Sequence, residues 1–492
     1  MLIARMAGLS GATGLIVALT RRFRAIFWAA VGGMCLVILS KSKKRNSDTS
    51  ARTAGSSHVA VILTDALHVE SAFGKTLPRV GALPVLLRSI LGAQKAGATR
   101  IVIVVNSATR SAVVRDLQST RRLPKSVEWF EHGDGETSLP SLLGHLNIEE
   151  RLVLIAGDRT YHPSLHRRAA EWKGESDALA LTTGSELVGI YALSRDVTIG
   201  LVTHGPSNIG DLEELHTWLT STHSIECERV PDDKWQRILT LQDRASAEQK
   251  LDRWLVKPTD GIFARFNRRI SIPISHQIIR FPITPNMVSL FTLGVSFMSG
   301  VFFAFGGYRN MLLGAILSVF ASILDGCDGE VARLKLQESD FGCWLETICD
   351  YLYYLFIFAG MTIGLMRGSG MRSYLVWGCV LLFGALVSFI VTSLQRHRLT
   401  NGRPEQLLGI WQTQAASRRS NPLLYIGRHT EFIIRRCFLP YALLFFALFN
   451  ITQVAFILSA LGANIVWIIA LYSHRTFAAI PNSTMARTPV SA

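Results

Sequence analysis

Among the acids of the stretch DGCDGEVARLKLQESDFGCWLETICD, Asp325 to Asp350, four are spaced for metal chemistry. Asp325 and Asp328 lie three residues apart at the end of one apolar segment. Gly342, Glu346 and Asp350 follow at intervals of four, which stacks them on one face of the helix opening the next apolar segment. Two helices therefore point two carboxylates each toward a shared space at a membrane surface. Charges at that depth are costly unless paired or metal-bound. A divalent cation relieves the mutual repulsion, and a hard one such as Mg²⁺ takes oxygen ligands with substrate phosphates completing its shell. Gly329, Ala332 and Gly342 leave room for a close helix contact or a flat ligand. Arg333 is a forked donor suited to phosphate. Glu330, Glu338 and Asp340 fall off the ligand face or in the connecting turn and are expected to be solvated. Two other readings stay open: solvent-facing paired acids, or the cation site of a transporter, which needs no Gly329, Ala332 or Arg333.

The elements that must position these residues follow from composition and patterning. The chain has 492 residues, 51 Lys+Arg against 36 Asp+Glu, a formal net charge of +15 and 49% hydrophobic residues. Mean hydropathy is +0.28. This excludes a disordered or fibrous protein, and the length allows about two to four domains. Excess positive charge on an apolar chain fits cytoplasmic loops beside anionic headgroups. No basic block with interleaved aromatics points to nucleic acid. Seven cysteines form no CxxC pair, which favours a reducing compartment.

Residues 1–56 hold an apolar run, Ala25 to Leu39, between RRFR and KSKKR, followed by a polar linker. The run could be a membrane anchor, a signal-like segment or a product of a misplaced start codon. Residues 57–255 have α/β texture. VAVIL (Val59 to Leu63), IVIVV (Ile101 to Val105) and RLVLIAGD (Arg151 to Asp158) read as buried parallel strands, and ALALTT and LVGIYAL as two more. A helical spacing over Leu83 to Gly97 separates the first two. The pattern predicts a doubly wound sheet. Residues 256–286 read as an interfacial amphipathic segment. Residues 287–475 form an all-α unit with six expected spans: Val288–Phe305, Met311–Leu324, Tyr351–Met366, Tyr374–Leu394, Cys437–Phe449 and Val454–Tyr472. Residues 476–492 are a polar tail. The basic stretch Gln395 to Arg435 is cytoplasmic by the positive-inside rule, on the same side as the α/β unit.

The pattern Asp-x2-Asp-Gly-x2-Ala-Arg-x8-Gly-x3-acid-x3-Asp resembles the signature of the CDP-alcohol phosphotransferase family. The resemblance implies a six-span enzyme of the inner (cytoplasmic) membrane that displaces CMP from a CDP-alcohol with a second alcohol's hydroxyl. The product would be a phospholipid or an inositol-phosphate-type compound. On that resemblance Asp325, Asp328, Glu346 and Asp350 would hold two divalent ions, Mg²⁺ or Mn²⁺, with Asp350 also the general base. Asp325, Gly329, Ala332, Arg333 and Gly342 would receive the nucleotide. Implied partners are the CDP-alcohol donor, an alcohol acceptor, membrane lipid and a second copy in a homodimer, with no nucleic acid. The family has Asp where this chain has Glu346, which keeps the charge and reaches one methylene further. A catalytically impaired protein that binds CDP-alcohol is therefore an alternative.

KTLPRVGALPVLLRSIL (Lys75 to Leu91) resembles the lysine-containing segment of sugar-phosphate nucleotidyltransferases, and Asp158 their first metal aspartate. The fusion order resembles inositol-1-phosphate cytidylyltransferase/di-myo-inositol phosphate phosphate synthase proteins. The nucleotidyltransferase-like unit departs from the pattern. The phosphate loop reads TDALHVESAFG, and WQRILTLQD puts Arg237 and Leu239 where the second metal aspartate belongs. A degenerate domain is expected, with Lys75 open to reading as a surface lysine and Asp158 as a helix N-cap.

Outside these units, Arg265, Arg268 and Arg269 precede the first span and are expected to meet headgroups or an acceptor's phosphate. His223, His276, His397 and His429 lack ligand spacing. Glu431 could line an acceptor pocket, and Asn464 is expected to bond a neighbouring helix.

Overall fold

The computed structural model describes residues 58–64, 77–120, 122–124, 126–132, 151–173, 176–184, 186–206, 212–257, 260–400 and 437–478. The expectations for residues 1–57, Lys75 with its loop, His429 and Glu431 lie outside the described residues, as does the side chain of His397.

In chain order the elements begin with β1 (His58–Leu63), β2 (Arg79–Val80), β3 (Leu83–Pro84), α1 (Val85–Lys95), β4 (Arg100–Asn106), α2 (Ser107–Ser119) and β5 (Val127–His132). There follow β6 (Arg151–Ala156), β7 (Arg159–Tyr161), α3 (Pro163–Glu171), β8 (Ala178–Thr183), β9 (Glu186–Leu193), α4 (Arg195–His204), α5 (Leu212–Thr222), β10 (Ile225–Arg229) and β11 (Trp235–Arg237). The chain then turns helical: α6 (Leu241–Leu255), α7 (Ile262–Ile278), α8 (Pro285–Phe305), α9 (Tyr308–Leu334), α10 (Asp340–Ser369), α11 (Ser373–Thr400), α12 (Phe438–Leu448) and α13 (Thr452–Ala478). Two compact units result, one within Met1–Leu77 and Ser89–Trp235, the other within Pro78–Arg88 and Gln236–Ala492.

The first unit is built on a seven-stranded sheet in the order β10-β8-β9-β6-β1-β4-β5. β1 is buried along its whole length and runs parallel to both neighbours, which explains its unbroken apolar sequence. Val59, Val61, Leu154 and Tyr191 pack with Leu201 of α4 and Leu215 and Leu219 of α5. The sheet is mixed: β9 runs antiparallel to β6 and β8. Only two residues separate β8 from β9, and a connection that short can join only antiparallel strands.

Among the described residues of the second unit, four helices are long and apolar enough to cross a membrane: Pro285–Phe305, Tyr308–Leu334, Asp340–Ser369 and Ser373–Leu394. The last two expected spans are shorter apolar helices, Phe438–Leu448 and Thr452–Ile468. At 1.5 Å per residue the 11 residues of α12 rise roughly 16 Å, about half a hydrocarbon core. α8 and α10 approach closely: a Cβ on Gly360 would collide with the Gly300 carbonyl, and one on Gly364 with that of Phe303. α9 joins α8 through Ser299 Oγ, which donates to the Gly314 carbonyl at 2.7 Å. Asn464 Nδ2 donates to Val380 O on α11 at 3.2 Å, so this amide does bond a neighbouring helix. Phe291, Leu313, Phe320, Phe383 and Ile468 stay uncovered on the outside, an apolar surface matched to lipid.

Candidate active site

α9 carries Asp325 and Asp328, and α10 carries Glu346 and Asp350. Asp325 lies 17 residues into α9, roughly 26 Å along its axis, so Asp325 and Asp328 occupy the last turns. α10 opens at Ser339, whose Oγ accepts from Gly342 N at 3.0 Å, so Glu346 and Asp350 fall in its first turns. Between them the chain reverses tightly. Leu336 takes a left-handed backbone with φ of 52°, and Gln337 N returns to Ala332 O at 2.7 Å. Lys335 Nζ donates to the carbonyls of Phe281 and Ile283 at 2.9 and 2.8 Å. Within the same unit, Arg88 Nη2 caps the end of α9 by donating to Leu334 O at 2.7 Å. Cations thus hold the C-terminal end of α9, Arg88 on its Leu334 carbonyl and Lys335 on two carbonyls of the turn between α7 and α8.

Asp328 is the most enclosed of the four acids at 5% exposure. Its Oδ2 accepts from Ser289 Oγ of α8 at 2.6 Å, and its Oδ1 from Gly329 N at 2.6 Å. Asp325 and Glu346 both act electrostatically on Asp328, and Asp325 also acts on Tyr353, three residues beyond Asp350. Acids from the two helices are therefore close enough to feel one another. Asp325 and Asp350 are half-buried and Glu346 is exposed. Among the described residues no three His, Cys, Asp or Glu side chains stand within common metal-ligand reach. The donor set itself suits a hard divalent cation, being carboxylate oxygens under mutual repulsion. A bound ion would have to draw the acids together by side-chain rotation, a movement open to the exposed Glu346.

The expected nucleotide-binding positions lie on the same two helices. A Cβ on Gly329 would meet only Arg333 Nη2, at 3.8 Å, so the backbone faces open space there. A Cβ on Gly342 would come within 3.5 Å of Asn286 Oδ1 at the start of α8. Ala332 and Arg333 are half-buried, with Arg333 Nη2 3.5 Å from the Leu255 carbonyl.

Two expectations are corrected. Glu330 is not solvated: it is fully buried, and Arg268, Ser271 and Ser275 of α7 all donate to it. Arg268 accordingly turns inward, away from headgroups, toward Glu330 and Asp260 at 2.6 and 3.4 Å. Arg265 and Arg269 are exposed, beside the exposed Ile262, Phe266 and Ile270, which fits an interfacial helix. Ser289 was not singled out by sequence. Its signal was modest: it sits one helical turn after the ITPN entry, where Thr284 caps α8 by accepting from Met287 N.

In the first unit, Asp158 is fully buried in the turn between β6 and β7, and Arg159 Nε lies 3.1 Å from its Oδ1. It is not a helix N-cap, since His162 holds that place on α3. Arg159 also donates to Leu187 O and lies over the Trp235 ring, 5.4 Å from its centroid. A guanidinium thus lies against one oxygen of Asp158.

Residues 282–470 match the family model described as CDP-alcohol phosphatidyltransferase. The bifunctional IPC transferase and DIPP synthase of Aquifex aeolicus (strain VF5) is 25% identical over 347 residues, 64% of this chain and 77% of that protein. The ceramide phosphoethanolamine synthase of Drosophila melanogaster is 33% identical over 101 residues, 19% of this chain and 25% of that protein. The inositol-1-phosphate CTP transferase structure from T. maritima aligns with 40% of this chain and 96% of that one, at 14% identity and a TM-score of 0.31. The matched segment holds every acid of the motif and the four helices that, among the described residues, are long and apolar enough to cross a membrane. Residues 282–470 are thus similar to the CDP-alcohol phosphatidyltransferase family, and they carry helices long and apolar enough to cross a membrane.

Proposed function

We propose that the chain moves a phosphoalcohol or phosphatidyl group from a CDP-alcohol to an acceptor hydroxyl and releases CMP. The observation that supports this reading is the placing of Asp325 and Asp328 in the last turns of α9 and of Glu346 and Asp350 in the first turns of α10, inside the segment that matches the family model. Asp325, Asp328, Glu346 and Asp350 would hold the divalent ions, two Mg²⁺ or Mn²⁺ on the family pattern. When bound, such ions neutralise charge on the diphosphate and on departing CMP. The chain's own side chains do the remaining work. Ser289 fixes the orientation of Asp328. Gly329 and Ala332 leave backbone open for a flat base, and Arg333 presents a fork to phosphate. Asp350 accepts the proton of the acceptor hydroxyl on a carboxylate oxygen.

The donor is either CDP-diacylglycerol or a soluble CDP-polyol such as CDP-inositol. The relatives include both a DIPP synthase and a ceramide phosphoethanolamine synthase, which argues for testing lipid and polyol acceptors together. The soluble unit contributes no nucleotidyl transfer on this reading, because Arg159 occupies the flank of Asp158. The cytoplasmic membrane is the site of action, the soluble unit faces the cytoplasm, and assembly is as a homodimer; the basic stretch after α11 supports the orientation.

The test is release of CMP by purified, reconstituted protein supplied with Mg²⁺ and a panel of CDP-alcohols and acceptors. Metal-dependent release with at least one pair is expected. CDP binding without CMP release from any pair would leave a binding protein in place of an enzyme.

A further inference from the structure

α7 presents a stripe of buried polar residues, Asn267, Ser271 and Ser275, at intervals of four. It faces a second stripe on α9, Ser322, Gly326 and Glu330, with the same interval. The two stripes are zipped by side-chain hydrogen bonds. Asn267 Nδ2 donates to Ser322 O and Oγ at 3.3 and 3.2 Å. Arg268 Nη1 donates to Gly326 O at 3.1 Å and to Glu330 Oε1 at 2.6 Å. Ser271 Oγ donates to Glu330 Oε1 at 2.5 Å, and Ser275 Oγ to Oε2 at 2.6 Å. Gly326 makes room for this: a Cβ there would lie 3.2 Å from Arg268 Nη1.

Both Glu330 oxygens are thus taken, and the residue is fully buried, so it serves as neither a metal ligand nor a base in this arrangement. Its place on α9 gives it another task. At about 100° per residue, Glu330 lies roughly 200° around the axis from Asp328. One side of α9 is therefore locked to α7 while the opposite side carries Asp328 toward Ser289 of α8. A helix held on both sides cannot roll, and rolling α9 would swing Asp325 and Asp328 away from α10.

We propose that Glu330, with Arg268, is a positioning residue of the transferase, fixing the rotation of α9 so that Asp325 and Asp328 meet the acids of α10. This rests on the proposed reading of the metal acids. Removing Arg268 leaves the Glu330 carboxylate buried without its cation, and removing the Glu330 charge leaves Arg268 to Asp260 alone; either imbalance would be relieved by movement of the two helices, because a buried charge without a partner is strongly unfavourable.

The test uses Mn²⁺ as probe on the full-length protein in detergent, with binding followed by electron paramagnetic resonance, and CMP release measured alongside. Glu330→Gln and Arg268→Ala are expected to weaken Mn²⁺ binding about tenfold and to lower kcat more than they raise KM, with circular dichroism unchanged. Arg268→Lys keeps a cation and should recover most of the loss. The double variant should be no worse than the poorer single, as for two members of one contact. Glu338→Gln, at the exposed turn, should change nothing. Wild-type Mn²⁺ affinity in folded Glu330→Gln overturns the proposal. If the charged variants fail to fold, Ser275→Ala and Asn267→Ala each remove only one group of the zipper. A graded loss of Mn²⁺ affinity in those two supports positioning, and unchanged affinity in both overturns it. Asp328→Asn separates the two levels. If it retains Mn²⁺ binding, the metal-site reading fails; if it loses binding while Glu330→Gln keeps it, only the positioning role fails.

Discussion

Ser289 Oγ on α8 donates a 2.6 Å hydrogen bond to Asp328 Oδ2 on α9, linking the first span to the motif through an acid at 5% exposure. A hydrogen bond to a charged group is worth about 1.5–3 kcal/mol. Ser289→Ala should therefore reduce CMP release about tenfold or more while the protein stays folded, and Ser289→Thr should recover part of it. Steady-state kinetics on both variants decide the matter: equal rates for wild type and Ser289→Ala would show that Gly329 N alone orients the carboxylate.

Asp350 is half-buried in the first turns of α10 and is the acid assigned the acceptor's proton. Asp350→Asn keeps the shape and removes the basic oxygen. Loss of general-base catalysis costs about 10²–10⁴ in rate, so turnover should fall into that range with CDP binding retained. Unchanged turnover in Asp350→Asn would transfer the role of base elsewhere.

The motif acids were legible because helical spacing alone aligns them, and β1, β4 and β6 because strands buried on both faces have unbroken apolar sequences. Glu330 was not legible. A lone glutamate reads as solvated until its partners are known, and they lie 55 to 62 residues away on another helix. β5 (VEWFEH) and β10 (IECER) were missed for a related reason: at the sheet edges, half-covered strands alternate with charges and lose the apolar run. The direction of β9 was set by a short connection, which composition does not encode.

Arg159 and Asp158 form a buried pair, with side chains 7% and 0% exposed. Removing one partner of such a pair costs about 3–5 kcal/mol. Arg159→Leu should therefore lower the stability of the first unit by about that amount, read as a shift in its denaturant midpoint. Wild-type protein given CTP, Mg²⁺ and a phosphorylated polyol should release no pyrophosphate. Pyrophosphate release would show that Arg159 moves aside for a metal.

His166 on α3 is fully enclosed, edge-on to Tyr161 with ring centroids 5.3 Å apart, and its Nδ1 has no hydrogen-bond partner among the described residues. Burial pushes its imidazole down to about 4. The folded chain therefore keeps it neutral while an unfolded chain takes up a proton near the ordinary value of about 6.5. A depressed histidine contributes stability that is fully present above about 6.5 and is lost as pH falls toward 4, with the unfolded state binding the extra proton throughout that window. A shift of about 2.5 units corresponds to roughly 3 kcal/mol. Hydrogen exchange of the α3 amides in the full-length protein should accelerate between pH 7 and 5 beyond the intrinsic trend. In His166→Leu that additional pH dependence should disappear. An identical slope in the variant would assign the acid sensitivity to some other group.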